Sequence, residues 1–156
     1  MKVVPNTSAP DFTLKDSDGA VHTLSQYKGS YVLIYFYPKD DTTGCTKEAC
    51  AIRDAYPNFG KLGITVLGIS ADTEKSHKKF EEKYKLPFTL LSDGDHAVCD
   101  LYGVWGKKKF MGREYEGINR MSFLINGDGV IVKIYEKVVP ERHAEEVLAD
   151  VRALTH

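Results

Sequence analysis

Two stretches of the chain are apolar at consecutive positions: Tyr31-Val32-Leu33-Ile34-Tyr35-Phe36-Tyr37 and Ile64-Thr65-Val66-Leu67-Gly68-Ile69-Ser70. Strands covered on both faces have this pattern. Pro38 ends the first, because proline has no amide to give to a central ladder. Between the two, Cys45 to about Asn58 spaces its apolar residues at helical intervals. A second helix is predicted over Glu74 to Tyr84, behind the turn residues Asp72 and Thr73. Thr89-Leu90-Leu91 reads as a short strand and Ala97 to Tyr102 as a short helix. Met121–Ile125 and Val130–Ile134 flank Asn126-Gly127-Asp128-Gly129, a strong hairpin signal. Glu141 to Leu154 closes the chain as an amphipathic helix. Near the start, Asp11–Lys15 alternates, Ser17-Asp18-Gly19 turns, and Val21–Leu24 returns. Ser25 is expected to cap a short turn that ends at Gly29. Strands alternating with helices, then a hairpin and a helix, predict an α/β fold: a mixed central sheet flanked by helices, with an N-terminal hairpin extension.

Length adds that residues 1–156 form one domain, with no repeat, linker or low-complexity segment to divide them. A formal net charge of −1 gives no reason to expect nucleic acid as a partner. Lys107-Lys108-Lys109 is the only basic run and reads as a solvated loop. Met1-Lys2-Val3-Val4 leads straight into Pro5 and polar residues, so no export signal is expected. No apolar run is long enough for a bilayer, so no membrane partner is expected either. The expected location is cytoplasmic. The five histidines show no ligand spacing, and no phosphate-binding glycine loop appears, so no metal and no cofactor are expected.

The chain holds three cysteines, Cys45, Cys50 and Cys99, too few, and odd in number, for a secreted disulfide scaffold. In a reducing compartment, two closely spaced thiols point to catalysis or metal binding. Cys45 follows a loop off the end of a buried strand and opens a helix. Ligands bind at such strand ends in open α/β sheets, and a helix start offers free amides and partial positive charge to a thiolate. The helix end alone is too weak. Bringing a cysteine nucleophile two or three units down requires about 3–4 kcal/mol, whereas a helix terminus supplies about 0.3–1 kcal/mol, or about 2 when partly buried. A fixed cation giving a charge-assisted hydrogen bond of about 1.5–3 kcal/mol would close the gap. The Thr42 hydroxyl could also donate to the sulfur or to a bound oxygen. Cys99, within Ala97-Val98-Cys99-Asp100-Leu101, reads as a core residue.

Pro38-x3-Thr42-x2-Cys45 resembles the active-site signature of the peroxiredoxins. The wider run Phe36-Tyr37-Pro38-Lys39-Asp40 through Thr46-Lys47-Glu48-Ala49-Cys50 and Arg53-Asp54 is similar to the bacterioferritin comigratory protein, or peroxiredoxin Q, subfamily. So are Tyr102-Gly103-Val104-Trp105-Gly106-Lys107 and Gly117-Ile118-x-Arg120-x-Ser122-Phe123-Leu124-Ile125. The resemblance implies a single thioredoxin-like domain. It implies that Cys45 is the peroxidatic cysteine, that Thr42 hydrogen-bonds thiolate and peroxide, and that Pro38 shields the site from water. Arg120 matches the catalytic arginine, the cation required above, and Cys50 matches the resolving cysteine of many members. The implied substrates are hydrogen peroxide and organic hydroperoxides, the implied reductant is thioredoxin, and the implied state is a monomer, since both cysteines lie in one chain. Thr43 departs from the pattern, standing where this subfamily usually has proline.

Two other functions fit a reactive cysteine. A thiol–disulfide oxidoreductase would use Cys-x-x-Cys, but the spacing here is Cys-x4-Cys. A redox sensor or holdase would consume peroxide slowly and need a partner. Glu48 either complements the helix dipole or orients Arg120, and the sequence leaves both open.

Overall fold

The computed structural model describes residues 3–155. Its frame is a seven-stranded mixed sheet. The two doubly apolar runs are its centre: β3 (Tyr31–Phe36) pairs in parallel with β4 (Ile64–Ser70). β5 (Thr89–Ser92) extends the parallel side, and β8 (Met121–Ile125) and β9 (Ile131–Tyr135) add an antiparallel hairpin on the other. The N-terminal hairpin, β1 (Thr13–Asp16) and β2 (Val21–Thr23), is the far edge of this same sheet, joined through β1 to β5.

Alternation along the central strands divides the core in two. Leu33, Tyr35 and Tyr37 face one cluster with α1 (Thr43–Lys61), Phe80 of α2 (Glu74–Tyr84) and α4 (His143–Leu154). Val32, Ile34 and Phe36 face the other, with Phe12, Leu24 and α3 (Ala97–Leu101). Cys45 belongs to the first cluster and Cys99 to the second, so the sheet separates them.

Several boundaries differ from the sequence reading. The short turn after β2 is a 3-10 helix, Leu24–Tyr27, whose N-cap is Thr23 rather than Ser25. The Gln26 side chain accepts from the Thr23 amide at 2.8 Å, a capping-box contact that outcompetes the serine. α1 continues past Asn58 to Lys61 with Pro57 inside it, although a proline there has no amide to bond the Arg53 carbonyl. Its apolar face, from Cys45 and Ala49 through Ile52 to Phe59, holds the helix against the sheet. α4 starts at His143 rather than Glu141.

The Lys107–Lys109 run is not a loop. It lies in β6 (Trp105–Phe110), which pairs with β7 (Arg113–Ile118) in a separate two-stranded ribbon. The turn is Met111-Gly112, both with positive φ (51° and 78°), as a two-residue type I′ hairpin turn requires. Lys108 folds back across the ribbon, and its Nζ donates to the Ile118 carbonyl at 2.8 Å. Among the described residues, no helix is long and apolar enough to cross a membrane.

Gly68 is the glycine most closely packed by neighbouring side chains. A Cβ there would lie 2.8 Å from both the Tyr35 ring and Leu90. The space beside this central strand is used by the tyrosine. Gly68→Ala is therefore expected to destabilise the fold by about 1–3 kcal/mol, the usual range for overpacking. Urea denaturation with an unchanged slope is the check, and an unchanged midpoint would contradict it.

Candidate active site

The loop from Pro38 to Thr42 leaves the carboxyl end of β3 and feeds α1. Thr42 is the N-cap, and the first intrahelical bond runs from the Thr46 amide to the Thr42 carbonyl at 2.8 Å. No side chain caps this end, so the amides of Thr43, Gly44 and Cys45 lack helical acceptors and face the site with the positive end of the dipole. Cys45, Cys50 and Cys99 are all free thiols. Cys45 sits in the first turn with only 1% of its surface exposed.

Arg120 comes from the other side, on the approach to β8. Its Nη2 donates to Cys45 Sγ at 3.3 Å, and its Nη1 donates to Glu48 Oε1 at 2.7 Å. The fixed cation needed to hold a thiolate is therefore in place across 75 positions of sequence. Glu48 settles the alternative left open above: it orients Arg120. It lies one turn after Cys45 on α1 and is fully buried. Burial pushes its carboxyl up to about 7, against the opposing charge and hydrogen bond of Arg120. Its second oxygen, Oε2, has no partner, and neither does the buried Tyr35 hydroxyl. For Arg120, burial works against the charge, but Cys45 and then Glu48 outweigh it and hold the guanidinium above its ordinary range.

Thr42 differs from expectation. Its hydroxyl donates to the Lys39 carbonyl at 2.8 Å, not to the sulfur. That bond uses the proton and leaves the oxygen lone pairs for an incoming donor. Pro38 sits half-buried just beyond β3. Cys50 is half-buried on α1, in the same helix as Cys45. Cys99 is fully buried; burial, then a hydrogen bond to Asp93, pushes its thiol far up. Trp105 stacks on His96 with ring centroids 4.0 Å apart, which makes it a packing residue. Arg53 binds the Tyr84 carbonyl at 2.7 Å and ties α1 to α2 rather than serving the site.

A family model for the AhpC/TSA family matches residues 5–134. The chain belongs to the AhpC/TSA family. Within it, a peroxiredoxin Bcp relative of Coxiella burnetii is 49% identical over 148 residues, covering 95% of this chain and 98% of its own. Peroxiredoxin Bcp of Escherichia coli K12 is 49% identical over 140 residues, 90% of each chain. The structure of the Xanthomonas campestris bacterioferritin comigratory protein, studied for alkyl peroxide reduction, superposes with a TM-score of 0.87 at 39% identity over 93% and 92% of the two chains. A Xylella fastidiosa PrxQ structure gives 0.93 at 33% identity over 100% and 99%. The chain is thus an AhpC/TSA peroxiredoxin of the Bcp and PrxQ group, with the thioredoxin-like fold and a thiol-dependent peroxidase activity.

One residue of this site, Gly44, was not singled out by the sequence reading. A Cβ on Gly44 would lie 3.0 Å from Arg120 Nη2, the nitrogen that reaches the sulfur. The signal was its place directly before Cys45. Gly44→Ala is expected to push the guanidinium aside by a few tenths of an ångström and slow peroxide reduction by about ten-fold, since small misplacements of a reacting group are costly. Stopped-flow peroxide consumption is the measurement. Glu48 gives a pH prediction. Its folded-state titration lies above its unfolded one, so its contribution is complete below about 4.5 and is lost as pH rises through about 7. Unfolding free energies of the wild type should therefore fall relative to Glu48→Gln across that window, and parallel curves would refute the assignment.

Proposed function

We propose that Cys45 is the attacking thiol of this peroxidase and Cys50 its resolving partner, with thioredoxin or a similar dithiol protein as reductant. The observation that carries the reading is the Arg120 fork, with one nitrogen 3.3 Å from Cys45 Sγ and the other fixed by Glu48. The Cys45 thiolate attacks the distal oxygen of hydrogen peroxide or an organic hydroperoxide. An S–O bond forms, the O–O bond breaks, and the departing oxygen takes a proton to leave as water or alcohol. Arg120 and the α1 amides stabilise the negative charge spread over sulfur and both oxygens. The Thr42 oxygen, with its own proton committed to Lys39, accepts from the peroxide O–H, and Pro38 limits water at the strand end.

Cys45 is left as a sulfenic acid. The Cys50 thiolate attacks its sulfur, an S–S bond forms, and the hydroxyl departs as water. The external dithiol then returns both sulfurs to thiols by exchange. Because both cysteines belong to one chain, the cycle needs no second subunit. A monomer in the cytoplasm is accordingly the simplest working state.

Ideal helix geometry constrains this cycle. Residues five apart are separated by about 7.5 Å of rise and about 140° of rotation, so their Cα atoms lie about 8.6 Å apart. A disulfide spans at most about 7 Å without backbone movement. Both cysteines lie inside α1, so its first turns must open before the bond can form. Gly44 and Thr42, Thr43 and Thr46 make that turn intrinsically weak. Cys45→Ser is expected to abolish peroxide turnover, whereas Cys50→Ser should keep one rapid peroxide reaction and lose repeated turnover with the dithiol. Hydrogen exchange should show Thr46 to Ile52 losing protection on oxidation, and equal protection in both redox states would overturn Cys50 as the resolver.

A further inference from the structure

The loop that carries Pro38 and Thr42 is tied down by a buried charged cluster that the chemistry above does not use. Asp40 Oδ2 lies 2.7 Å from His77 Nδ1, and His77 Nε2 lies 2.9 Å from the Leu91 carbonyl of β5. The Leu91 carbonyl is an acceptor only, as is Asp40 as a carboxylate, whose two oxygens already accept from Tyr37 and Ser76, and a neutral imidazole has a single N–H. Two such contacts are satisfied together only when both nitrogens carry protons. The His77 side chain is 0% exposed, so no water stands in for either partner.

The surroundings are built for that charge. Asp40 also accepts from the Tyr37 hydroxyl at 2.6 Å and from Ser76 Oγ at 2.8 Å, and its amide donates to Asp72 Oδ2 at 2.8 Å. Ser70 Oγ donates to the same Asp72 oxygen. His77 stands in the first turn of α2, where the helix dipole opposes a cation, so the carboxylates must carry it. The groups facing it are Tyr37 from the end of β3, Asp40 from the loop, Asp72 from the β4–α2 connection, the Leu91 carbonyl from β5, and Glu81 on α2 itself. Burial lowers the ring's affinity for its second proton, but Asp40, then the Leu91 carbonyl and Asp72, outweigh it and raise the titration above the ordinary histidine range. Asp41, at positive φ (56°), adds a surface tie: its carboxylate accepts from Lys83 and the Tyr84 hydroxyl, both at 2.8 Å. Asp40, Asp72 and His77 bring ligand-type atoms within 4.8 Å of one another, but these atoms are already spent on the hydrogen bonds described.

We propose that His77, held as an imidazolium between Asp40 and the Leu91 carbonyl, is a positioning residue of the peroxidase: it clamps the Pro38–Thr42 loop to α2 and β5, so that the peroxide-binding groups stay set while the first turn of α1 opens and closes beside them. The proposal rests on Cys45 as the attacking thiol. It adds a requirement specific to peroxide, because alkylation of the same sulfur does not use Pro38 or Thr42. Deprotonation of His77 removes one of its two hydrogen bonds and its charge pair. The clamp is therefore complete below the ordinary histidine range and is lost as pH rises through the raised folded-state value.

The test has two parts. On the full chain with 15N-labelled histidine, long-range 1H–15N spectra at pH 7 should show protons on both His77 ring nitrogens, and a single ring proton there would overturn the proposal. Rate constants for Cys45 with hydrogen peroxide and with iodoacetamide are then measured from pH 6 to 10. The peroxide-to-iodoacetamide ratio of the wild type should fall as His77 titrates. In His77→Gln and Asp40→Asn it should be lower by about ten- to a hundred-fold at pH 7, flat with pH, and no lower in the double variant. A wild-type ratio independent of pH would sink the proposal even if neither variant folds. Failure of the underlying reading would look different: Cys45→Ser would still consume peroxide.

Discussion

The site depends on one guanidinium placed between the Cys45 sulfur and the Glu48 carboxyl group, which it must hold apart in role. Arg120 gives one nitrogen to Cys45 and one to Glu48. The carboxylate is the costly part of this arrangement: it is fully buried, leaves one oxygen unpaired, and is driven towards neutrality by its surroundings. A buried pair of this kind stabilises little by itself, although removing one partner leaves the other stranded. Its value is geometric. A surface arginine has many rotamers. One anchored by Glu48, with its other nitrogen in the space that Gly44 leaves free, is held pointing at sulfur.

How much of this was readable in advance follows from the range of each signal. β3 and β4 were plain because burial on both faces leaves an uninterrupted apolar run, and α2 was placed at its true ends because Thr73 caps it and accepts from the Ser76 amide. Local chemistry failed at the β6–β7 ribbon. Its turn, Met111-Gly112, lacks the usual Asn-Gly signature, and three lysines mask a strand whose middle one folds back onto Ile118. The cation requirement could be argued from Cys45 alone, but the identity of Arg120 came from family resemblance, since nothing periodic links residues 75 positions apart. The Thr42 hydroxyl does not donate to the sulfur because the Lys39 carbonyl takes its proton, and the direction of that backbone atom is something no side-chain pattern reports. Asp40 and His77 are 37 positions apart on a loop and a helix, and they look like ordinary polar residues until the sheet brings them together.

The arrangement separates rigid and yielding parts over a very short stretch. β3 is hydrogen-bonded on both sides, and the loop after it is tied through Asp40 and Asp41 to α2. The first turn of α1 begins at once after that loop, with uncapped amides, a glycine and threonines. The opening that the proposed cycle requires would expose Cys45 and leave β3 in place, the usual logic of a low-stability unit set on a stable frame.

The third cysteine gives this division a further meaning. Cys99 is on the opposite face of the sheet, its thiol kept protonated and turned towards Asp93. It can neither reach Cys45 nor become a useful nucleophile while the sheet is intact. Under the proposed assignment the sulfur chemistry of the folded chain is therefore that of a two-electron couple: an oxidised Cys45 would have one intramolecular route home, through Cys50, and Cys99 would not divert it into a scrambled disulfide while the sheet stands between them.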